Sequence, residues 1–415
     1  MDSLVNSDKK KIKERAPLMR KIIAPLLAVT MLQAVVFYAF MSVSGTEEKM
    51  NVNSESLMEE TSARRALYVE TEMLRRKNGV SAIENAVQKS YRAIASKYAL
   101  RVGEFLESDK YTGDFLNDIS DDILGALRIN SANGAFLVLN NSVEVPANNV
   151  QANYRGVFFS DSEPALAPTD YSDIVMMKGS SQISKEHGIP LDINWTDKFR
   201  YNPVEHDMEY FFTPIITASG NADYPSEMLG YWSRPFYITD SAHYHGDLVI
   251  AYSEPIEIDN VVIGVIGITI SVDDISSLLP SAEATGKESG CYALLSYSEG
   301  NDYIRIDAVS ETANGFDRYV DSNFKFISEE GKDIRKIKDV KIDGSQAMCA
   351  YTDLNLYKAD SPYAKEKWAV GVVDNEENIY VDFGGVRVRL LIALLVAIVI
   401  GTATVYFTVR YAAKP

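Results

Sequence analysis

LVIAYSEPIEIDNVVIGVIGITISV, residues 248–272, is the stretch on which the fold turns. Two apolar, β-branched runs, 248–256 and 261–272, flank Asp259-Asn260, and so tight a connection between such runs predicts an antiparallel hairpin. Further β-rich runs separated by turn residues lie upstream: GAFLVL at 134–139, GVFFS at 156–160 and EYFFTPII at 209–216. With the hairpin they suffice for one sheet. DDISSLL at 273–279 reads as a short helix that Pro280 ends. The same grammar then recurs in shorter form at 291–297, 303–309, 346–354 and 367–374, which predicts a second, smaller sheet.

Upstream of the sheets, Ile83, Val87, Tyr91, Ile94, Tyr98, Val102 and Phe105 recur with a mean step of about 3.7 residues, close to the helical period. This predicts a long amphipathic helix within 44–107, with Asn78-Gly79 as the place where it would break. The helix packs on its own domain, on a partner chain, or on both.

Two apolar runs frame this folded mass. Residues 22–43 and 390–409 carry no formal charge, and each is long enough as a helix, at roughly 30 Å, to cross a bilayer. A buried core helix is the competing reading for both, and a cleaved leader ending near Ser42-Val43-Ser44 competes for the first. The tail 1–21 holds seven Lys and Arg against three acids, which places it on the cytoplasmic side. Two spans then put both termini inside and the middle outside. The net charge is −17, and removing the basic ends leaves roughly −25 on the stretch between the runs, consistent with a translocated domain.

That acidity argues against nucleic acid as a partner, because phosphate-backbone affinity needs clustered cations. Two cysteines, Cys291 and Cys349, build neither a disulfide framework nor a zinc site. His243-Tyr244-His245 beside Asp240 and Asp247 has metal-ligand chemistry, but nothing in the sequence completes a set, so no metal and no cofactor is predicted. HExxH, P-loop and GxSxG motifs are absent, and the chain reads as a non-enzyme.

WSRPFY at 232–237, AYSEPI at 251–256, IGVIGITIS at 263–271 with the helix after it, and KWAVGVV at 367–373 resemble, in order and spacing, the local patterns of the double Cache sensor of bacterial membrane receptors. The resemblance covers residues 45–385. It implies an α+β fold: two stacked PAS-like antiparallel-sheet domains on a long N-terminal helix, flanked by two transmembrane helices. The membrane-distal domain would occupy 108–279 and the membrane-proximal one 280–385, with Gly384-Gly385 as a pivot before the second span. Residues 410–415 resemble the start of a HAMP-like linker to an output module, which in the family is a histidine kinase, a diguanylate cyclase or a chemotaxis rod. A homodimer and a small polar or anionic metabolite as ligand are further implications.

One branch of the family binds amino acids through Arg-x-Trp-Tyr, a later Tyr-x-Asp, and an Asp where this chain has Thr269. Here the aromatic pair is Tyr210-Phe211 with Asp207 or Met208 near the Arg position, and Asp240 is displaced. The charged partners of an α-amino acid are therefore largely missing from those positions. The expected pocket lining is Tyr210, Phe212, Trp232, Arg234, Phe236, Tyr237, Tyr252 and Thr269, with Arg234 and Trp232 as the ligand-contacting pair. The family's strand order also implies that Cys291 and Cys349 lie on either side of the last strand as two buried thiols. A surface stalk or a transporter accessory without a small ligand is the alternative function.

Overall fold

A computed structural model describes residues 28–29, 31–33, 46–140, 152–164, 171–201, 208–221, 223–238, 240–241, 244–245, 247–284, 290–311, 315–327, 335–342, 344–380, 392, 394–404 and 406–407. The chain divides into one compact unit of Met58–Asn375 and another of Met1–Leu57 with Glu376–Pro415. In the second unit residues 28–29, 31–33, 394–404 and 406–407 are helical, and Tyr380 donates to Glu55 at 2.7 Å. Among the described residues no helix is long and apolar enough to cross a membrane. The tail 1–21, most of 22–43, Gly384-Gly385 and the end 410–415 lie outside the described residues.

Helix α1 (Thr46–Lys77) buries Met58, Ser62, Ala66, Val69, Met73 and Arg76, a stripe at three- and four-residue steps. It stops where the sequence predicted a break, and α2 (Val80–Tyr98) begins after Gly79. A Cβ on Gly79 would lie 1.8 Å from the Asn130 amide, so the break is also a close approach only glycine permits. The buried stripe of α2 runs through Ile83, Val87 and Tyr91, then ends at a left-handed Ala99; Tyr98 is exposed, while Val102 and Phe105 are buried in a separate short helix. α3 (Asp109–Asn130), capped by Ser108, has no counterpart among the predicted elements, although Phe115, Ile119, Ile123 and Leu127 mark its inner face.

The first sheet is built from β1 (Gly134–Leu139), β2 (Gly156–Asp161), β3 (Ile174–Lys178), β4 (Leu191–Thr196), β5 (Tyr231–Trp232), β6 (Phe236–Tyr237), β7 (Leu248–Ile258) and β8 (Val261–Ser271). Its order is β4-β3-β2-β1-β8-β7-β5, with β6 also on β7, and all its pairs are antiparallel except β3–β4. The predicted hairpin is β7–β8: Ile258 pairs with Val261, and Asp259 and Asn260 both have positive φ (52° and 61°), as a two-residue turn matched to strand twist requires.

Residues 209–216 are a correction. They form α4 (Glu209–Gly220), not a strand. Tyr210, Phe211, Pro214, Ile215 and Ala218 are its buried positions, so helical spacing overrode the β propensity of the aromatics. α4 covers one face of the sheet, where Phe136, Phe158, Tyr210, Phe211, Phe236, Val249 and Ala251 share one core; α2 and α3 pack on the sheet's other face.

The smaller sheet is larger than predicted and closed. β9 (Cys291–Ser298), β10 (Tyr303–Val309), β11 (Ser322–Ile327), β12 (Arg335–Ile342), β13 (Ser345–Leu354) and β14 (Glu366–Asn375) form a barrel in that order, with β14 returning to β9. Cys291 and Cys349 both pair with Val373, so the last strand lies between them. Both thiols are free and buried, and burial pushes the Cys291 thiol up to about 12.

Candidate ligand-binding cleft

The eight expected pocket residues do not share one cavity. Tyr210 and Phe236 stack on each other at 4.4 Å within the core under α4. Thr269 faces that same core, its Oγ1 buried with no hydrogen-bond partner among the described residues, and a Cβ on Gly134 opposite would clash with it. Phe212 stacks on Tyr201 at 3.8 Å, half-buried, and Tyr237 is 41% exposed. Tyr252 lies on the opposite face of β7, where its hydroxyl donates to Glu254 and Lys77 sits 5.0 Å over its ring. Burial raises the Glu254 carboxyl, against the opposing pull of the Tyr252 hydrogen bond and Lys77.

Trp232 and Arg234 do meet at a cleft, and most of its far wall comes from the barrel. A cavity of about 230 Å³ lies between the sheet lobe and the barrel lobe. Glu209, Thr213, Tyr231, Trp232 and Arg234 line it from one side; Ser296, Ser298, Tyr303, Arg305, Tyr363, Glu366, Lys367 and Trp368 are among those on the other. Arg234 leaves the end of β5 exposed, and its guanidinium makes no hydrogen bond or ion pair among the described residues. Arg305 is held at the cleft wall by Asp321 at 2.7 Å and Asp307 at 3.2 Å. Glu366 accepts from the Ser298 hydroxyl at 2.8 Å.

The segment between β13 and β14 ties the lobes together beside the cleft. The Trp232 amide donates to the Tyr357 hydroxyl at 3.0 Å, Ser361 donates to the Met228 carbonyl at 2.8 Å, and the rings of Tyr231 and Tyr363 lie 4.9 Å apart. Burial pushes the Tyr357 and Tyr231 hydroxyls well above their ordinary range, so both stay protonated. The cleft thus offers three cations, two carboxylates and an aromatic wall in a space fit for a small polar molecule rather than a nucleotide. Among the described residues no cluster of His, Cys, Asp and Glu could hold a metal ion, and His187 pairs with Asp121 at 2.9 Å; His206 and His243 lie outside the described residues.

Sequence reasoning found Trp232 and Arg234 but not Arg305, Glu209, Glu366 or Lys367. Of these, only the Arg305 side of β10 carried a signal, since YIRIDAV alternates apolar and charged residues and so sets Arg305 and Asp307 apart from the Ile304 and Ile306 face.

No family model and no curated protein matches the chain. Among solved structures, the chain is similar to the periplasmic sensory domain of the Campylobacter jejuni chemoreceptor Tlp1, at 15% identity and a TM-score of 0.46 over 80% of this chain and 99% of that one. It is similar to the ligand-binding domain of the Pseudomonas aeruginosa amino acid chemoreceptor PctB in complex with L-Arg, at 12% identity, TM-score 0.41, over 79% and 97% of the two chains. A third is the ligand-binding domain of the Pseudomonas fluorescens chemoreceptor CtaA in complex with L-isoleucine, at 13% identity, TM-score 0.40, over 82% and 98%. All three are sensory or ligand-binding domains of chemoreceptors.

Proposed function

We propose that the chain is the ligand-sensing, extracytoplasmic part of a two-pass membrane receptor of the double Cache kind, and that it binds a small polar or anionic metabolite in the cleft between its lobes. The observation that carries this is Arg234: an exposed guanidinium without an ion pair among the described residues, beside Trp232, lining the same cleft as a second guanidinium, Arg305, from the other lobe. Carboxylates are the natural occupants of such a pair. Glu209 and Glu366 add a place for an ammonium group, so zwitterions fit as well.

A ligand gripped by both lobes binds one arrangement of them better than any other, which is the only way binding can shift a receptor between states. Taking it from about 1% to 99% active needs roughly 5.5 kcal/mol of differential affinity. The shift would pass along α1 and the barrel to the apolar runs 22–43 and 390–409, read as membrane spans with cytoplasmic ends, within a homodimer. The output module would be a histidine kinase, a diguanylate cyclase or a chemotaxis rod. The role is binding, not catalysis.

The test is thermal denaturation of the full chain in detergent against a panel of small carboxylates and α-amino acids. A true ligand raises the midpoint, and Arg234→Ala removes that rise without altering the unliganded midpoint, since Arg234 is exposed. A ligand whose stabilisation survives both Arg234→Ala and Arg305→Gln unchanged takes the site out of the cleft. A second reading rests on Thr269 and Ser253, whose hydroxyls are buried on the α4 face without hydrogen-bond partners among the described residues: were α4 to lift, they would face an incoming ligand.

A further inference from the structure

Behind Arg305, the barrel wall of the cleft holds a buried acid, Asp307. β9 and β10 pair Leu295 with Ile306 and Leu294 with Ala308, so Asp307 is the extra residue of a β-bulge. Ile304, Ile306 and Val309 belong to the barrel core, and alternation from Ile304 and Ile306 sets Asp307 on the outer wall with Arg305. The Asp307 side chain is 0% exposed, and among the described residues neither of its oxygens has a hydrogen-bond partner of good geometry. Its nearest cation is the Arg305 Nε, 3.2 Å away, while the far end of that guanidinium reaches Asp321. The other groups that act on Asp307 are Arg234 from the sheet lobe and the Ser296 hydroxyl on β9; Glu209, Glu366 and Lys367 line the same cleft.

We propose that this cleft binds a small carboxylate together with one proton: the ligand takes over as counter-ion of Arg305, and Asp307 becomes neutral. This rests on the cleft being the ligand site. A carboxylate arriving at Arg305 and Arg234 brings a second negative charge close to one that is buried and cannot turn to water, and two such charges cannot share a desolvated site without one of them protonating. Asp307 is the one that yields. Burial already pushes it up to about 6, with Arg305 the main opposing influence, so a ligand that draws on Arg305 raises it further. The balance is one ligand carboxylate group and one proton entering, a pair whose charges cancel. Neutral ligands gain nothing from this exchange, so the residue also selects for anions.

The probe is succinate, titrated calorimetrically into the full chain in detergent at pH 6.5–8.0, where both succinate carboxyls are ionised, in pairs of buffers with different ionisation heats. The expected result is uptake of close to one proton per succinate at pH 7.5, and affinity falling by up to about tenfold per pH unit above pH 6. Asp307→Asn is expected to bind with no proton uptake and a flat pH profile. Binding without uptake, or a slope that survives Asp307→Asn, overturns the proposal. A second measurement keeps the two readings apart: carbon NMR of Asp-labelled chain, with Asp307 assigned by its loss in Asp307→Asn. A titration near pH 6 that moves upward in Arg305→Gln supports the coupling even if succinate itself does not bind. A titration near the ordinary value of about 4, insensitive to Arg305→Gln, refutes it whatever binds in the cleft.

Discussion

The two lobes solve the problem of burying a sheet in opposite ways. The sheet lobe is open, with helices on both faces, and its α4 layer is a stack of rings: Phe136 against Phe158 at 5.6 Å and against Tyr210 at 5.0 Å, and Tyr210 on Phe236. The barrel lobe is closed, and its interior is filled by small and aliphatic residues around Leu295, Ile306, Ala347 and Cys349, with a void of only about 10 Å³. Gly371 sits where a Cβ would meet the Cys349 sulfur at 2.7 Å, a measure of how little space remains. A closed, filled barrel can offer a ligand only its outside, whereas an open sheet can in principle lift a layer. The cleft uses the outside of the barrel and the edge of the sheet, where neither core has to open.

The largest effect that would break this contrast is in the aromatic layer. Phe136→Ala is expected to cost about 3–5 kcal/mol by urea denaturation, in line with a fully buried ring removed from a close-packed core. Leu295→Ala in the barrel is expected to cost about 2–5 kcal/mol in the same measurement. A Phe136→Ala cost below about 1 kcal/mol would mean that the α4 layer is loosely packed. The sheet lobe would then be the better place for a ligand, close to the buried hydroxyls of Thr269 and Ser253.

Burial raises Asp161 and Glu254 of the sheet lobe as it raises Asp307 of the barrel, but Asp173 of the sheet lobe differs from Asp307 in sign, and pH separates those two. In the sheet lobe Arg128 pairs with both Asp161 and Asp173, and its hydrogen bonding holds the Asp173 carboxyl below the usual range. That stabilisation is present at neutral pH and is lost as pH falls through the depressed value. In the barrel lobe Asp307 has the opposite sign: raised from 3.8 to about 6, it binds its proton more tightly folded than unfolded. Stability therefore rises as pH falls through 6, and the gain is complete below 3.8. Between pH 7.5 and pH 4.5, wild type is expected to gain on Asp307→Asn by about 2 kcal/mol, read as the difference between their urea midpoints. Parallel pH curves for the two proteins would mean that Arg305 fully compensates the buried charge and that the two lobes handle their acids alike.

How much of this was legible in the sequence follows from where the physical signal lives. The hairpin of β7 and β8 could be read because both its cues are local: apolar runs of the right length and two residues that tolerate positive φ. α4 was misread because its aromatics favour strands while its spacing favours a helix, and in a run of eight residues composition spoke louder than period. β12 was missed because Lys and Arg fill its outer positions and Asp339, at φ 63°, breaks its alternation. The break at Gly79 was legible from the glycine, but its cause, the Asn130 side chain, lies 51 residues away and no local pattern points to it. The site divides the same way. Trp232 and Arg234 stand out within one short motif, but Arg305, Glu366 and Lys367 belong to ordinary barrel strands and gain their meaning only when the lobes are set side by side. Arg305 and Asp307 share a face by simple alternation, but the bulge that brings Val309 into the barrel core is invisible in YIRIDAV, which reads as a regular strand.

The smallest predicted effect is the sharpest on whether the lobes are distinct bodies. Residues 355–365 leave the barrel between β13 and β14 and return to it, yet their polar groups are spent on the sheet lobe: the Tyr357 hydroxyl accepts from the Trp232 amide and donates back to the Trp232 carbonyl at 3.5 Å. Tyr357→Phe leaves that amide without its partner in a buried place, which costs about 1–2 kcal/mol while filling the same volume. If the lobes are separate bodies joined by this strap, the penalty stays at the joint. Hydrogen exchange is then expected to speed up at the Trp232 amide, while the β14 amides Val370 and Val372, deep in the barrel ladder, keep their protection. Equal acceleration in β14 would show the two lobes opening as one cooperative unit. A ligand in the cleft could then signal only by stiffening the whole, not by moving one lobe against the other.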